Sequence, residues 1–351
     1  MNSYERLKAM TEGKPVDRPA CSGWCHFAYT EMDPIDFPRT TINVSEAAGY
    51  DLVKIQYNAF HFCEDFGQEL KWWPLPPVYS IKTNRYVLNH PKDFLKLKVL
   101  DPKRPGSALN REIEATKKIV DHFKGKVPVL ATMFNPYTQA GQLYSACRPD
   151  MLREMMEYSL NDFKFGLDVI HETNMKFADA LIEAGVDGIF YATMYAFDNR
   201  ITQQQYQEVL RPYDLNELNH ISSNTWLNML HLHGGNDLMF KEHLDYPVQA
   251  INWEDITPEG TSGAVTMAEA RKMTDKILVG GIDHRSDLFV ENNNRTVLKE
   301  RLKARARAAI EGAGRDRLIF APGCGFPQNV ELIFRYPLIK EALEEVMAEM
   351  Q

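Results

Sequence analysis

The chain has 351 residues, 44% hydrophobic and 25% charged, which is an ordinary globular composition. That length allows two domains, although α/β barrels run this long as one. A net charge of -8 excludes nucleic acid as the main partner, because phosphate binding needs a basic face.

Short apolar runs predict eight strands in chain order, over 18–26, 51–57, 127–134, 188–193, 226–231, 248–253, 277–281 and 318–321. Amphipathic stretches between them predict helices over 111–123, 150–184, 202–222, 266–272, 294–311 and 330–350. Leu298, Leu302, Ala306 and Ala309 form one stripe of such a helix, and Gly312 and Gly314 end it. Asp150 caps the long stretch that follows it. Strands alternating with helices in this number predict a single (β/α)8 TIM barrel domain spanning 1–351. One segment breaks the alternation. Between Cys63 and Asn110, aromatics, prolines and β-formers such as Trp72-Trp-Pro-Leu-Pro-Pro predict a hairpin inserted after the second strand.

The five cysteines, Cys21, Cys25, Cys63, Cys147 and Cys324, are odd in number and match no disulfide framework. The N-terminus lacks the apolar stretch of a signal peptide. No run approaches the roughly 20 apolar residues of a membrane span. These features predict a soluble cytoplasmic protein with reduced thiols and no membrane partner.

Two segments concentrate chemistry. His231-Leu-His233-Gly-Gly-Asn236 follows the fifth predicted strand, and Pro322-Gly-Cys324-Gly follows the eighth. Residues two apart in a strand point the same way, so His231 and His233 share a face. If the fold joins the two strand ends, two imidazoles and a thiolate converge, the usual layout of a catalytic zinc with its fourth position open. Other strand ends supply candidate substrate contacts: His26 or Cys25 after the first, Asn58 and His61 after the second, Asn135 and Tyr137 after the third, and Tyr191, Met194 and Tyr195 at the fourth. Glu254 and Asp255 follow the sixth strand, and Asp283 and His284 the seventh, where carboxylates suit positioning or proton transfer. Each has a plainer reading as core packing, a turn or a cap. Asn236 in particular reads as a helix cap.

Several segments, in order along the chain, carry a family resemblance: Glu5-Arg-Leu-Lys with Asp17-Arg-Pro19, Ala48-Gly-Tyr-Asp51, Asn135-Pro136, Ala184-Gly-Val-Asp-Gly188, Arg211-Pro-Tyr213, Gly280-Gly-Ile-Asp283 and Pro322-Gly-Cys-Gly. The series resembles the uroporphyrinogen decarboxylase superfamily, whose fold is a (β/α)8 barrel. True decarboxylases of this superfamily carry an arginine-rich stretch after the first strand. Here that place reads Ser22-Gly-Trp-Cys-His-Phe-Ala-Tyr29, without arginine. The chain is more similar to the branch of methylcobamide:coenzyme M methyltransferases, which carry His-x-Cys-Gly-Asn and Pro-Gly-Cys-Gly. The resemblance implies zinc bound at His231, His233 and Cys324, with Asp283 among the catalytic residues. It also implies a corrinoid that delivers the methyl group on a partner protein docked over the barrel mouth. His233 stands where the branch has cysteine, so the site carries one thiolate fewer and the acceptor need not be the branch's thiol.

Three readings stay open on this basis. The first is a methyltransferase between a corrinoid and a small-molecule acceptor. The second is a metal-free decarboxylase or lyase acting on a smaller acid, which needs cationic groups at the mouth, with Arg18, Lys54 and Arg285 the nearest. The third is a catalytically silent ligand-binding protein. The superfamily includes dimers, so a homodimer is also open.

Overall fold

The computed structural model describes residues 1–27, 29–72, 81–144, 149–194, 201–234, 238–256, 265–290 and 293–350. Its strands are β1 (Ala20–Cys21), β2 (Val53–Lys54), β3 (Glu69–Trp72), β4 (Ile81–Arg85), β5 (Val129–Phe134), β6 (Gly188–Thr193), β7 (Met229–Leu232), β8 (Ala250–Trp253), β9 (Ile277–Ile282) and β10 (Leu318–Pro322). Eight of them form one parallel sheet in the order β1-β10-β9-β8-β7-β6-β5-β2, curled into a TIM-barrel-like fold with helices between the strands. The two ends of the sheet meet. Asp51 N–H donates to the Cys21 carbonyl at 2.8 Å, and Ser22 Oγ donates to the Leu52 carbonyl at 2.7 Å. β3 and β4 pair antiparallel as a separate two-stranded sheet. The remainder of the aromatic and proline run, 73–80, lies outside the described residues, as do Cys147, Tyr195 and Asn236.

Strand alternation sorts every side chain to one of two layers. Leu130, Phe134, Phe190, Ala192, Met229, Ala250, Val279, Ile319 and Ala321 pack together inside the barrel. Leu7 and Met10 of helix Ser3–Thr11 join them and fill its floor. That helix begins at a capping box, in which Asn2 accepts from Glu5 N–H and Glu5 reaches back to Asn2 N–H. The intervening strand residues, among them Ile189, Tyr191, Leu230, Ile251 and Phe320, face the helical layer.

Three predicted helices are interrupted. The stretch 150–184 is two helices, Pro149–Tyr158 and Leu160–Glu183, with Ser159 between them at φ -142° and ψ 38°. The last helix is divided into Val330–Ile333 and Pro337–Glu349, with a proline opening its second part. In 202–222 the backbone widens to a π turn over Tyr206–Leu210 before Arg211–Asn224 resumes the α pitch. Pro212 accounts for the widening: it has no N–H to donate, and its ring crowds the carbonyl one turn back.

Candidate metal centre and its cavity

Neighbouring strands place Ala192, His231, Asn252 and Val279 side by side. The small Ala192 leaves room for the His231 ring, which stacks on Phe190 with centroids 5.1 Å apart. His231 is buried, and its Nδ1 lies 2.6 Å from Asn252 Oδ1. The Asn252 amide has only one orientation available: its Nδ2 donates to the carbonyls of Val279 and Pro322. Its oxygen therefore faces His231 and fixes the proton on Nδ1, which makes Nε2 the ring atom suited to a metal.

His233 follows two residues later on the same side, its ring centroid 5.8 Å from that of His231. β10 brings Cys324 to both. Cys324 Sγ lies 3.5 Å from His233 Nδ1, and the ligand atoms of His231, His233 and Cys324 all fall within 4.8 Å of one another. The approach depends on Gly323, where a Cβ would sit 2.8 Å from Glu254 Cα and 2.8 Å from the Trp253 carbonyl oxygen. Burial opposes ionisation of the Cys324 thiol. The neighbouring imidazoles of His233 and His231 override it and hold the thiol well below its ordinary range.

The three donors line one end of a cavity of about 280 Å³ walled by Trp24, Phe60, Phe134, Phe190 and Met194. Lys54 reaches into it from β2, with its Nζ 4.3 Å from the Phe190 ring centroid. A relay leads away from Lys54. Its ammonium donates to Gln56 Oε1, Gln56 Nε2 donates to His26 Nε2 at 2.8 Å, and His26 Nδ1 donates to the buried Glu31 at 2.9 Å. Burial pushes the Lys54 ammonium down to about 7. The unfolded chain keeps that proton until about pH 10.4 and therefore binds more protons between the two values. Stability then rises with pH across that window. Lys54→Met is expected to be more stable than the parent at neutral pH, with the gap closing as pH approaches 10. Urea unfolding across that range checks it, and a gap that did not change with pH would refute it.

His26 lines the cavity with His231, His233 and Cys324. Glu254 lies beside them, its Oε1 3.8 Å from His233 Nδ1 and its Oε2 3.1 Å from Arg285. Asp283 sits at the same barrel end but is engaged with Arg285 Nε at 2.9 Å and Ser286 Oγ at 2.8 Å. Burial works against its ionisation, and these bonds prevail to hold its carboxyl below the usual range.

The structure does not bring the remaining predicted contacts to the cavity. Asn58 is fully buried, with its Oδ1 accepting from Phe60 N–H in a local turn. His61 packs edge-on to Tyr57 and close to Phe177, and burial lowers its imidazole to about 4. Asn135 caps helix Pro136–Leu143 and donates to Asp214. Tyr137 packs edge-on against Phe163. Tyr191 points outward from β6, and its hydroxyl donates to Glu217 at 2.8 Å. Arg18 lies at the opposite end of the strands, bonded to Asp51. The sequence reading omitted Asn252 and Gln56, and it named Lys54 only as a cation for the metal-free alternative. Each is a polar residue within an apolar strand, and that is the signal that could have found them.

Residues 15–333 match the uroporphyrinogen decarboxylase (URO-D) family. The methylcobamide:CoM methyltransferase MtaA of Methanosarcina barkeri is 24% identical in an alignment of 343 positions that covers 91% of this chain and 91% of that one. A solved methyltransferase from Methanosarcina mazei superposes with a TM-score of 0.79 at 21% identity, over 98% of this chain and 99% of that one. A B12-independent methionine synthase from Shewanella sp. W3-18-1 gives a TM-score of 0.58 at 14% identity, over 95% and 94% of the two chains.

Proposed function

We propose that this chain, which belongs to the uroporphyrinogen decarboxylase (URO-D) family, is a methyltransferase that moves a methyl group from a corrinoid to a small acceptor such as a thiol. One observation carries the reading: His231, His233 and Cys324 converge at one end of a cavity at the C-terminal ends of the strands, where barrel enzymes place their chemistry. The similarity to a protein named for transfer from methylcobamide supports it.

The donor set fits a zinc ion. His231 is held in the tautomer that leaves Nε2 for a metal, Asn252 supplies the outer hydrogen bond that such ligands use, and Cys324 is drawn toward the thiolate form. When bound there, zinc would lower the pKa of an acceptor thiol and hold it as the nucleophile. The chain's own residues do the rest. Trp24, Phe134, Phe190 and Met194 exclude water from the reacting atoms, which preserves a reactive thiolate. Lys54 offers one positive charge to a polar end of the acceptor. The methyl donor would sit over the open mouth, carried by a partner protein.

Lys54 also favours a second reading, a lyase acting on a small acid, because a buried ammonium is an anion site. Of the three cations that this reading needs, Arg18 is bonded to Asp51 and Arg285 to Asp283 and Glu254, which leaves Lys54. The decisive experiment is an anaerobic incubation of the zinc-loaded chain with methylcobalamin and a panel of thiols. The expected result is loss of the methylcobalamin spectrum with one or more thiols, at a rate proportional to protein. An unchanged spectrum with every thiol, beside carbon dioxide release from small acids, would replace the transferase with the lyase.

A further inference from the structure

Glu31 is fully buried and does not line the cavity, yet it ends a chain of hydrogen bonds that begins inside it. Strand parity puts Trp24, His26, Lys54 and Gln56 on the cavity side. Beyond His26 the backbone folds back: Thr30 N–H and Glu31 N–H both donate to the Phe27 carbonyl, at 2.8 and 2.9 Å. That return sets the Glu31 carboxylate against the His26 ring, with Oε2 2.9 Å from Nδ1.

Every link in this chain has one direction. An ammonium only donates and a carboxylate only accepts, so the two ends prescribe the links between them. Lys54 requires the oxygen of Gln56, which turns Gln56 Nε2 toward His26 Nε2 at 2.8 Å as a donor. Glu31 requires the proton on His26 Nδ1, which makes His26 Nε2 an acceptor. The two requirements meet at Gln56 and agree. Among the described residues Gln56 supplies the hydrogen-bond acceptor of the Lys54 ammonium. The ammonium otherwise rests on Phe190 and Trp24, 4.3 and 5.8 Å from their ring centroids. Loss of the Glu31 carboxylate lets the imidazole proton settle on Nε2. The Gln56 amide then turns over, and its NH2 group confronts the ammonium.

We propose that Glu31 is a positioning residue that determines specificity. Through His26 and Gln56 it holds Lys54 in place, and the cavity thereby prefers an acceptor that ends in an anion over its uncharged isostere. The proposal rests on the proposed function in taking the cavity's occupant to be the acceptor.

3-Mercaptopropionate and 3-mercaptopropanamide differ in that charge, and their binding to the zinc-loaded, full-length chain tests this. Equilibrium dialysis at pH 6, below the value of about 7 to which burial brings Lys54, keeps the ammonium charged. The parent is expected to bind the carboxylate thiol about 10-fold to 100-fold more tightly, the range of a charge-assisted hydrogen bond. E31M is expected to bring that ratio to about one by weakening the carboxylate thiol only. With methylcobalamin as donor, it is expected to raise the KM of that thiol and leave kcat unchanged. E31Q, whose amide oxygen still accepts from Nδ1, is expected to restore the preference. In 15N spectra His26 is expected to carry its proton on Nδ1 in the parent and on Nε2 in E31M. Q56L cuts the chain at another link and is expected to lose the same ratio, so a folding defect in E31M does not decide the outcome. Either variant keeping the parent's ratio would overturn the proposal. So would a parent without a preference, or an E31M that weakens both thiols alike. A preference that E31M loses, with no turnover of methylcobalamin by the parent, would sink the transferase and keep the role of Glu31.

Discussion

Cys324→Ala is expected to leave a folded protein that retains less than a hundredth of the parent's cation affinity and no methyl transfer. Removing an outer hydrogen-bond partner of a metal ligand costs about 10–100-fold in affinity, and Cys324 is itself one of the ligands. It is also the sole sulfur beside His231 and His233 in the donor set. Its side chain lies at the cavity end rather than in the packed core, so the substitution opens little new void. The same residue gives a readout that needs no metal. Cys324 is held toward the thiolate, whereas burial first and foremost pushes the Cys25 thiol up to about 12 and raises Cys21 as well. Alkylation by iodoacetamide near neutral pH, followed by peptide mapping, is therefore expected to mark Cys324 ahead of Cys21 and Cys25. Zinc should protect it. Labelling of Cys25 or Cys21 before Cys324 would contradict the electrostatic account, and undiminished zinc content in Cys324→Ala would contradict the metal assignment.

Asp51→Ala is expected to produce the largest loss of stability of any single change at the sheet ends, about 3–5 kcal/mol. Asp51 is 1% exposed and accepts five hydrogen bonds from nitrogen and oxygen donors. Arg6 reaches it from the helix that fills the floor, at 2.7 Å, and Arg18 from just before β1, at 2.6 Å. Ser3 Oγ and the Cys21 amide complete the set. Alanine would leave Arg18 with a poor substitute in the more exposed Glu344, and Arg6 with the half-exposed Asp17 as its remaining carboxylate. Burial works to raise the Asp51 carboxyl, and the Arg18 and Arg6 charges outweigh it, so its folded pKa is depressed. A depressed carboxyl contributes stability above its unfolded value of about 3.9, and that contribution disappears as pH falls through the folded value. Denaturant titrations of Asp51→Ala and the parent should therefore differ most near neutrality and converge in acid. Equal midpoints at pH 7 would show that the cluster is not what joins the sheet ends.

The metal candidates were legible because a strand repeats every two residues. That period puts His231 and His233 on one face whatever the rest of the fold does, and the glycines beside Cys324 mark a strand end. The same rule, applied across neighbouring strands, separates Phe190 and Ala192 from Tyr191, and the outward place of Tyr191 follows from parity within β6. Asn58, His61 and Asn135 were not legible in that way. They leave the strands just where the chain turns, and a turn resets side-chain direction without a sequence period to announce it. The cavity's cation was half visible: Lys54, Arg18 and Arg285 were equal candidates as residues. Only the fold assigns Arg18 to Asp51 and leaves Lys54 facing Phe190. Ser159 gave no warning of the break in the long helix, since serine is tolerated both within helices and at their ends.

The widened turn at Tyr206–Leu210 acts as a phase shifter. Eight residues separate Tyr206 from Asp214, and at about 100° per residue a uniform α-helix would leave them about 80° apart around its axis. A π turn absorbs about one residue, which brings that difference to about 20°. Both side chains then point at a single hydroxyl: Tyr206 Oη lies 2.6 Å from Tyr246 Oη, which donates to Asp214 at 2.7 Å. Asp214 in turn accepts from Tyr191 on the outer face of β6 and from Asn135 beyond β5. One surplus residue in a helix thus aligns a polar chain across three strands, and a deletion that restored regular pitch there would untune the chain at its first link.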